Sequence, residues 1–260
     1  MDKIYAFFVA LAFIFVGCGD EVTSTSSVDN KEVEKVLTRA DIKEDFIKDD
    51  RDGETYRTVR IGEQWWMAEN LRYAADSSFC YSGEDYFCEN YGRLYRWPSA
   101  MNLDTVYYHE GAIYDDVVDS LHQGVCPKGW HIPTKMEWET LINFIRAHNG
   151  DEGDGTSIRS PQMWGEYGEG ASKVTHSDRF GFSVLPAGQR VNSAAGRNGN
   201  AYEDFTGDAY FWTATEVNYF RNDVAKAYCV WIVGEWNENA VKLINDKSKG
   251  DAFSIRCVKN

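Results

Sequence analysis

The chain has 260 residues, 43% of them hydrophobic, with 41 Asp and Glu against 27 Lys and Arg for a net charge of −14. That length is enough to bury a core without depending on staples, in one large domain or two small ones. The acidic balance lacks the basic footprint a phosphate-binding surface needs, which argues against nucleic acid as a partner and against electrostatic adsorption to anionic lipid.

The chain opens with Lys3, an apolar or small-residue run from Ile4 to Val16, and Gly17-Cys18. The run is too short to span a bilayer as a mature helix and reads as an export signal. Its Gly-Cys end resembles a bacterial lipobox, in which the Cys18 thiol takes a diacylglyceryl group and the chain is cut before it. The alternative is a plain secretory signal followed by an incidental cysteine. On the first reading residues 1–17 are a lipoprotein signal peptide, and lipid at Cys18 holds the protein in the bacterial cell envelope, at the outer membrane or cell surface. Two or three acyl chains, at about 0.8 kcal/mol per buried methylene, anchor firmly.

Residues 18–51 contain TSTSS and then a strongly charged run with few large apolar residues. This composition predicts an acidic flexible tether, with a short helix at Val33, Val36, Leu37 and Ala40 as its one periodic feature. Order is expected from about Asp52. There the turn dipeptide Asp52-Gly53, the run TYRTVRI, Gly62-Glu63 and QWWM together read as a two-stranded hairpin. Cys80 and Cys88 flank a Gly-containing turn and suit a bridge closing a hairpin. A short helix is expected around Ala100.

The strongest local pattern is PTKMEWETLINFIRAHNG. Thr134-x-x-Glu137 is a capping box, Trp138, Leu141, Ile142 and Ile145 share one face, and Asn149-Gly150 ends the helix, so a helix is predicted over about 134–148. Residues 149–179 are rich in Gly, Asp and Ser and read as a long surface loop. After them GFSVLPAGQR, AYFWTATE, KAYCVWIVG, AVKLI and FSIRCVKN read as short strands between turns. The whole predicts an α+β domain over residues 52–260, a loop-rich antiparallel sheet with one prominent helix.

With Cys18 lipidated, five cysteines remain, and in an oxidising compartment spaced cysteines read as disulfides sooner than metal ligands. One is left over. Cys229, in the apolar run AYCVWI, reads as a buried free thiol. Neither the cysteines nor the five histidines show zinc-ligand spacing, so no metal site is expected.

DGETYRTVRIGEQWWMAENLRY, CENYGRLYRWPSAM, CPKGWHIPTKMEW, GFSVLPAGQR, YFWTATE and SIRCVKN occur in that order and resemble the Fibrobacter-type major paralogous domain, a family of exported bacterial proteins often carried as lipoproteins. The resemblance covers roughly Asp52 to Asn260. It implies a fold similar to C-type-lectin-like domains and to the sulfatase-modifying-factor fold, and a disulfide from Cys126 to Cys257 on the terminal strand. It supplies no reaction, and fold analogy is not evidence of function.

The sugar-coordinating tripeptides of calcium-dependent lectins are missing. Trp236-Asn237-Glu238-Asn239 is similar to one lectin motif yet reads as a hairpin tip, and Asp151-Glu152-Gly153-Asp154 departs from the calcium-loop pattern. Cysteine-pair oxidation chemistry of the sulfatase-modifying kind is not supported. His131 has no nucleophile or orienting carboxylate placed by sequence and reads as a packed histidine. The aromatic content is high. Trp65, Trp66, Trp97, Trp130, Trp138, Trp212 and Trp231 lie in helix or strand patterns and read as core, which leaves Trp164, Trp236 and neighbouring Asn237 as ligand-binding candidates in loops.

The expectation is a lipid-anchored surface protein whose domain is a non-catalytic binding or adhesion module for extracellular polysaccharide, with no cofactor. The alternatives are a protein–protein interaction module of a surface assembly and a cell-surface enzyme of unknown reaction.

Overall fold

The computed structural model describes residues 35–112, 121–165, 176–192, 201–217, 225–234 and 240–260. In chain order the elements are β1 (Lys43–Lys48), β2 (Thr55–Ile61), β3 (Gln64–Met67), β4 (Ser78–Phe79), α1 (Asp85–Tyr91), β5 (Leu94–Arg96), α2 (Trp97–Ala100) and β6 (Trp130–His131). There follow α3 (Lys135–His148), α4 (Asp154–Ile158), β7 (Gln189–Arg190), β8 (Tyr202–Glu203), β9 (Ala209–Glu216), β10 (Lys226–Ile232), β11 (Val241–Ser248), β12 (Ala252–Phe253) and β13 (Val258–Lys259). The architecture is α+β, mostly antiparallel strands with few helices.

Among the described residues three sheets form, in the orders β1-β2-β3-β13-β6, β11-β10-β9 and β4-β5-β12-β7-β8. In the first, the expected hairpin is present, with Val59 opposite Trp66 and Ile61 opposite Gln64. The terminal strand β13 inserts between β3 and β6, placing Val258 opposite both Trp66 and His131. The chain end therefore closes the sheet. The disulfide Cys126–Cys257, with Cα atoms 5.9 Å apart, ties β13 to the segment before β6.

Helix α3 follows from its sequence. Thr134 accepts from the Glu137 amide, the Glu137 carboxylate accepts from the Thr134 amide, and two of the first free donors of the helix are thereby satisfied. The face of Trp138, Leu141, Ile142 and Ile145 is buried. Trp138 meets Trp66 at 4.8 Å and Phe211 at 5.5 Å between ring centroids, so the helix packs its stripe across both the first and second sheets. Of the seven tryptophans expected in the core, five are buried and Trp65 and Trp231 are half-buried.

The core also holds a buried arginine whose three nitrogens all find acceptors. Arg256 is 0% exposed, donates from Nε to Asn70 Oδ1 at 2.9 Å and from its two terminal nitrogens to the carbonyls of Phe182 and Ser183, and lies over the Phe182 ring. Asn70 in turn donates to the Tyr91 carbonyl at 2.8 Å. Burial pushes the Arg256 guanidinium down to about 9.

Three expectations need correction. Residues 43–48 at the end of the expected tether form β1, paired with β2 from Lys43 opposite Arg60 to Lys48 opposite Thr55. Leu37, Ile42 and Ile47 pack on the core, and the helix expected at Val33 to Ala40 gives way to a short 3₁₀ turn at Arg39–Asp41. A solvated edge strand carries the charges that keep it from pairing with other chains, so its composition is that of a linker. Second, Cys80 and Cys88 are bridged, with Cα atoms 4.9 Å apart, but Cys88 lies in α1 and no hairpin is closed. Phe87 and Tyr91, four residues apart on α1, both pack on Phe205 at 5.0 and 4.8 Å, a helical spacing within a run that reads as turns. Third, within the loop expected over 149–179, α4 forms, and Gly155 to Ser160 are buried. No helix among the described residues is long and apolar enough to cross a membrane.

Candidate functional site

An open groove of about 700 Å³ is lined by Arg51, Tyr73, Asp76, Ser99, Asn102, Asp104, Tyr108 and Gln123, together with Ala74, Ala75, Ser77, Leu103, Thr105, Gly124 and Val125. Four separate chain segments build it. The first is the turn between β1 and β2, where the Asp49 carboxylate is 1% exposed and takes Nε of Arg51 at 2.9 Å and Nη2 at 2.6 Å. Nη2 also reaches the Val125 carbonyl at 2.8 Å. Burial alone would raise the Asp49 carboxyl, but the Arg51 hydrogen bonds outweigh it and hold it low, and the same bonds raise the Arg51 guanidinium. So fixed, Arg51 lies 3.8 Å over the Tyr73 ring.

The second segment carries Tyr73 and Asp76. The Tyr73 carbonyl accepts from the Tyr95 hydroxyl at 2.6 Å, and Ser77 turns the chain with φ of 57°. The Asp76 carbonyl takes the Ser99 hydroxyl, which joins this wall to the next. The third segment leaves α2 through Asn102, at φ of 53°, and enters a 3₁₀ turn whose first amides are capped by Asp104 at 2.8 Å from the Val106 nitrogen. Tyr108, at the end of that turn, is half-buried. The fourth is the floor at Gln123 to Val125. Here Gly124 has φ of 53°, and a Cβ on it would stand 2.3 Å from the Ala100 carbonyl, so no other residue fits without moving the floor. The disulfide at Cys126 anchors this floor from behind.

A second groove, about 330 Å³, is lined by Asp52, Glu54, Arg72, Asp85, Glu89 and Arg93 and shares Tyr73 and Ala74 with the first. Cys88 lines it too, so the Cys80–Cys88 bridge holds its rim. Arg72 is engaged by Glu54 at 2.9 Å and Glu69 at 3.3 Å, and Arg93 donates to the Ser78 hydroxyl at 2.9 Å and to Cys80 Sγ. Neither groove's lining contains a histidine or a lysine, and among the described residues no cluster of His, Cys, Asp and Glu is arranged to hold a metal ion.

The residues singled out by sequence fall elsewhere. Trp164 is half-buried. Its indole donates to the Val184 carbonyl at 3.1 Å, and its ring lies 4.6 Å from the guanidinium of Arg159, which is 1% exposed. Nε and Nη2 of Arg159 have no hydrogen-bond partner; burial lowers the guanidinium to about 10, against the opposing pull of the Asp208 and Asp154 charges, and the ring face adds to that compensation. Trp236, Asn237 and Cys18 lie outside the described residues. Cys229 is buried and free, its thiol pushed up by burial. His131 is packed, with its ring nitrogens 2.8 Å from Asn260 Oδ1 and from Glu137 Oε1.

The match to a family model decides the chain's kinship: the Fibrobacter succinogenes major domain matches residues 59–259. This chain belongs to that family. No curated protein and no solved structure matches it. The groove joins Arg51, ahead of the matched Fibrobacter succinogenes major domain, to residues inside it, and no sequence pattern marks the set, because its four segments are spread over Arg51 to Val125 and share no local period. The signals present are indirect: left-handed backbone at Asn102 and Gly124, and an acidic cap at Asp104.

Proposed function

We propose that this chain is a lipid-anchored protein of the bacterial envelope whose domain binds extracellular polysaccharide without catalysis. The observation that supports this reading is the groove itself. Tyr73 and Tyr108 stand half-buried among the amides of Asn102 and Gln123, the carboxylates of Asp76 and Asp104 and the hydroxyl of Ser99. Aromatic faces beside hydrogen-bonding groups suit sugar rings, which are apolar on their faces and hydroxylated at their edges. In the same reading the domain is a variant of the C-type-lectin-like fold, supported by the capped helix after Pro133 and the disulfide on the terminal strand.

The test is retention of the purified full chain in gels cast with polysaccharide. Tyr108→Ala should weaken retention about tenfold. Asn102→Gly, which keeps the left-handed backbone and removes the amide, should weaken it less, and both variants should melt as wild type does. Undiminished retention in Tyr108→Ala would remove the groove from the reading. Labelled fatty acid should enter wild type in cells and be absent from Cys18→Ala; label retained there would remove the anchor.

A further inference from the structure

We infer that the ligand is a neutral polysaccharide held along the middle of its chain, across both grooves at once. The inference rests on the binding reading above and specifies its ligand. Two features carry it: the grooves adjoin at shared residues, and their linings hold more carboxylates than guanidinium groups.

The grooves adjoin at shared residues. Tyr73 and Ala74 line both the 700 Å³ and the 330 Å³ grooves. Ala74 is exposed and carries only a methyl group, so no side chain at that position bars passage from one groove to the other. Arg51, pinned by Asp49 and Val125, lies against one face of the Tyr73 ring and fixes that ring where the two grooves meet. A furrow of this kind fits an extended chain, whereas a single sugar would fill only one part.

The charge argument concerns which chain. The two linings together contain Asp52, Glu54, Asp76, Asp85, Glu89 and Asp104 against three arginines. Arg51 is paired with Asp49 outside both grooves and Arg72 with Glu54 and Glu69, which sets Asp52, Asp76, Asp85, Glu89 and Asp104 against Arg93. A polyuronate would bring repeated negative charge against this surface and against a chain of net charge −14, which disfavours both approach and docking. Hydroxyls of a neutral glycan meet the opposite situation, since free carboxylate oxygens accept from them in charge-assisted hydrogen bonds.

The experiment uses the purified full chain in gels containing mixed-linkage β-glucan, galactomannan or polygalacturonate, with a disaccharide and a hexasaccharide of the retaining polymer as competitors. Expected is retention by a neutral polymer and none by polygalacturonate, with the hexasaccharide competing about tenfold better than the disaccharide, equal to roughly 1.4 kcal/mol. Ala74→Trp, which fills the junction, should remove the advantage of the hexasaccharide over the disaccharide. Equal or stronger retention by polygalacturonate, equal competition by the two oligosaccharides in wild type, or a hexasaccharide advantage that survives in a folded Ala74→Trp overturns the inference and leaves polysaccharide binding standing. If none of the three polymers retains wild type, both the inference and the reading beneath it fail. The wild-type arms decide the question even if Ala74→Trp does not fold.

Discussion

Lys249 and Glu216 form an ion pair closed off from water, with side chains 0% and 4% exposed. The ammonium also donates to the Glu110 carbonyl at 3.0 Å and lies 4.2 Å from the centre of the Trp97 ring, while Glu216 Oε1 accepts from the Ala112 amide at 3.1 Å. The pair thereby fastens the 110–112 segment to β9 and to the end of β11. Removing one partner of such a pair leaves a buried charge without compensation, at a cost of about 3–5 kcal/mol. Lys249→Met should destabilise by that amount in chemical denaturation, and Lys249→Met with Glu216→Gln should recover most of the loss while keeping an acceptor for Ala112. A double variant as unstable as the single one would show that the charge was not the cause.

Glu137 gives a pH dependence with a definite sign. Burial would raise its carboxyl, but the hydrogen bonds from His131 and Thr134 outweigh burial and lower it below its ordinary 4.5. A carboxyl lowered in the folded state adds stability above its unfolded value, and that stability is lost as pH falls through the folded value. Glu137→Gln should cost about 1 kcal/mol at neutral pH, a loss of cap and charge, and the gap to wild type should close as pH falls below 4.5. Urea unfolding across that range checks it. A gap that is constant with pH would assign the loss to packing instead.

The two disulfides should contribute unequally. Cys126–Cys257 spans 131 residues and Cys80–Cys88 spans 8. In the chain-entropy model these loops are worth roughly 4–5 and 2–3 kcal/mol. Replacing Cys126 and Cys257 together by Ala should lower the melting temperature more than replacing Cys80 and Cys88, and should loosen β13 in hydrogen exchange. An equal effect of the two would place the stabilisation in local packing.

Trp164→Ala should destabilise the fold. The ring is half-buried, bonds Val184 and covers the buried guanidinium of Arg159, so its loss should cost about 2–3 kcal/mol, below the range for a fully buried tryptophan. Thermal melting reads this directly. An unchanged melting temperature would return Trp164 to the exposed stacking role that its loop setting suggests.

Features with a local cause were legible in the sequence. The capping box at Thr134 and Glu137, the apolar face of Trp138 to Ile145 and the hairpin around Gly62 depend on residues three or four apart, or on alternation across one turn, and the chain alone carries that information. The family resemblance was legible for the same reason, since its strings are contiguous. What tertiary structure alone decided are pairings over long separations. β1 is a strand because β2 lies beside it, although its residues Lys43, Glu44, Asp45 and Lys48 have a linker's composition. α4 and Arg159 are buried, although their surroundings read as loop. The groove exists because Arg51, Tyr73, Asn102 and Gln123 are carried to one place by a sheet that the last strand closes, and no pattern in the chain records that convergence, because each residue's position is set by a different partner.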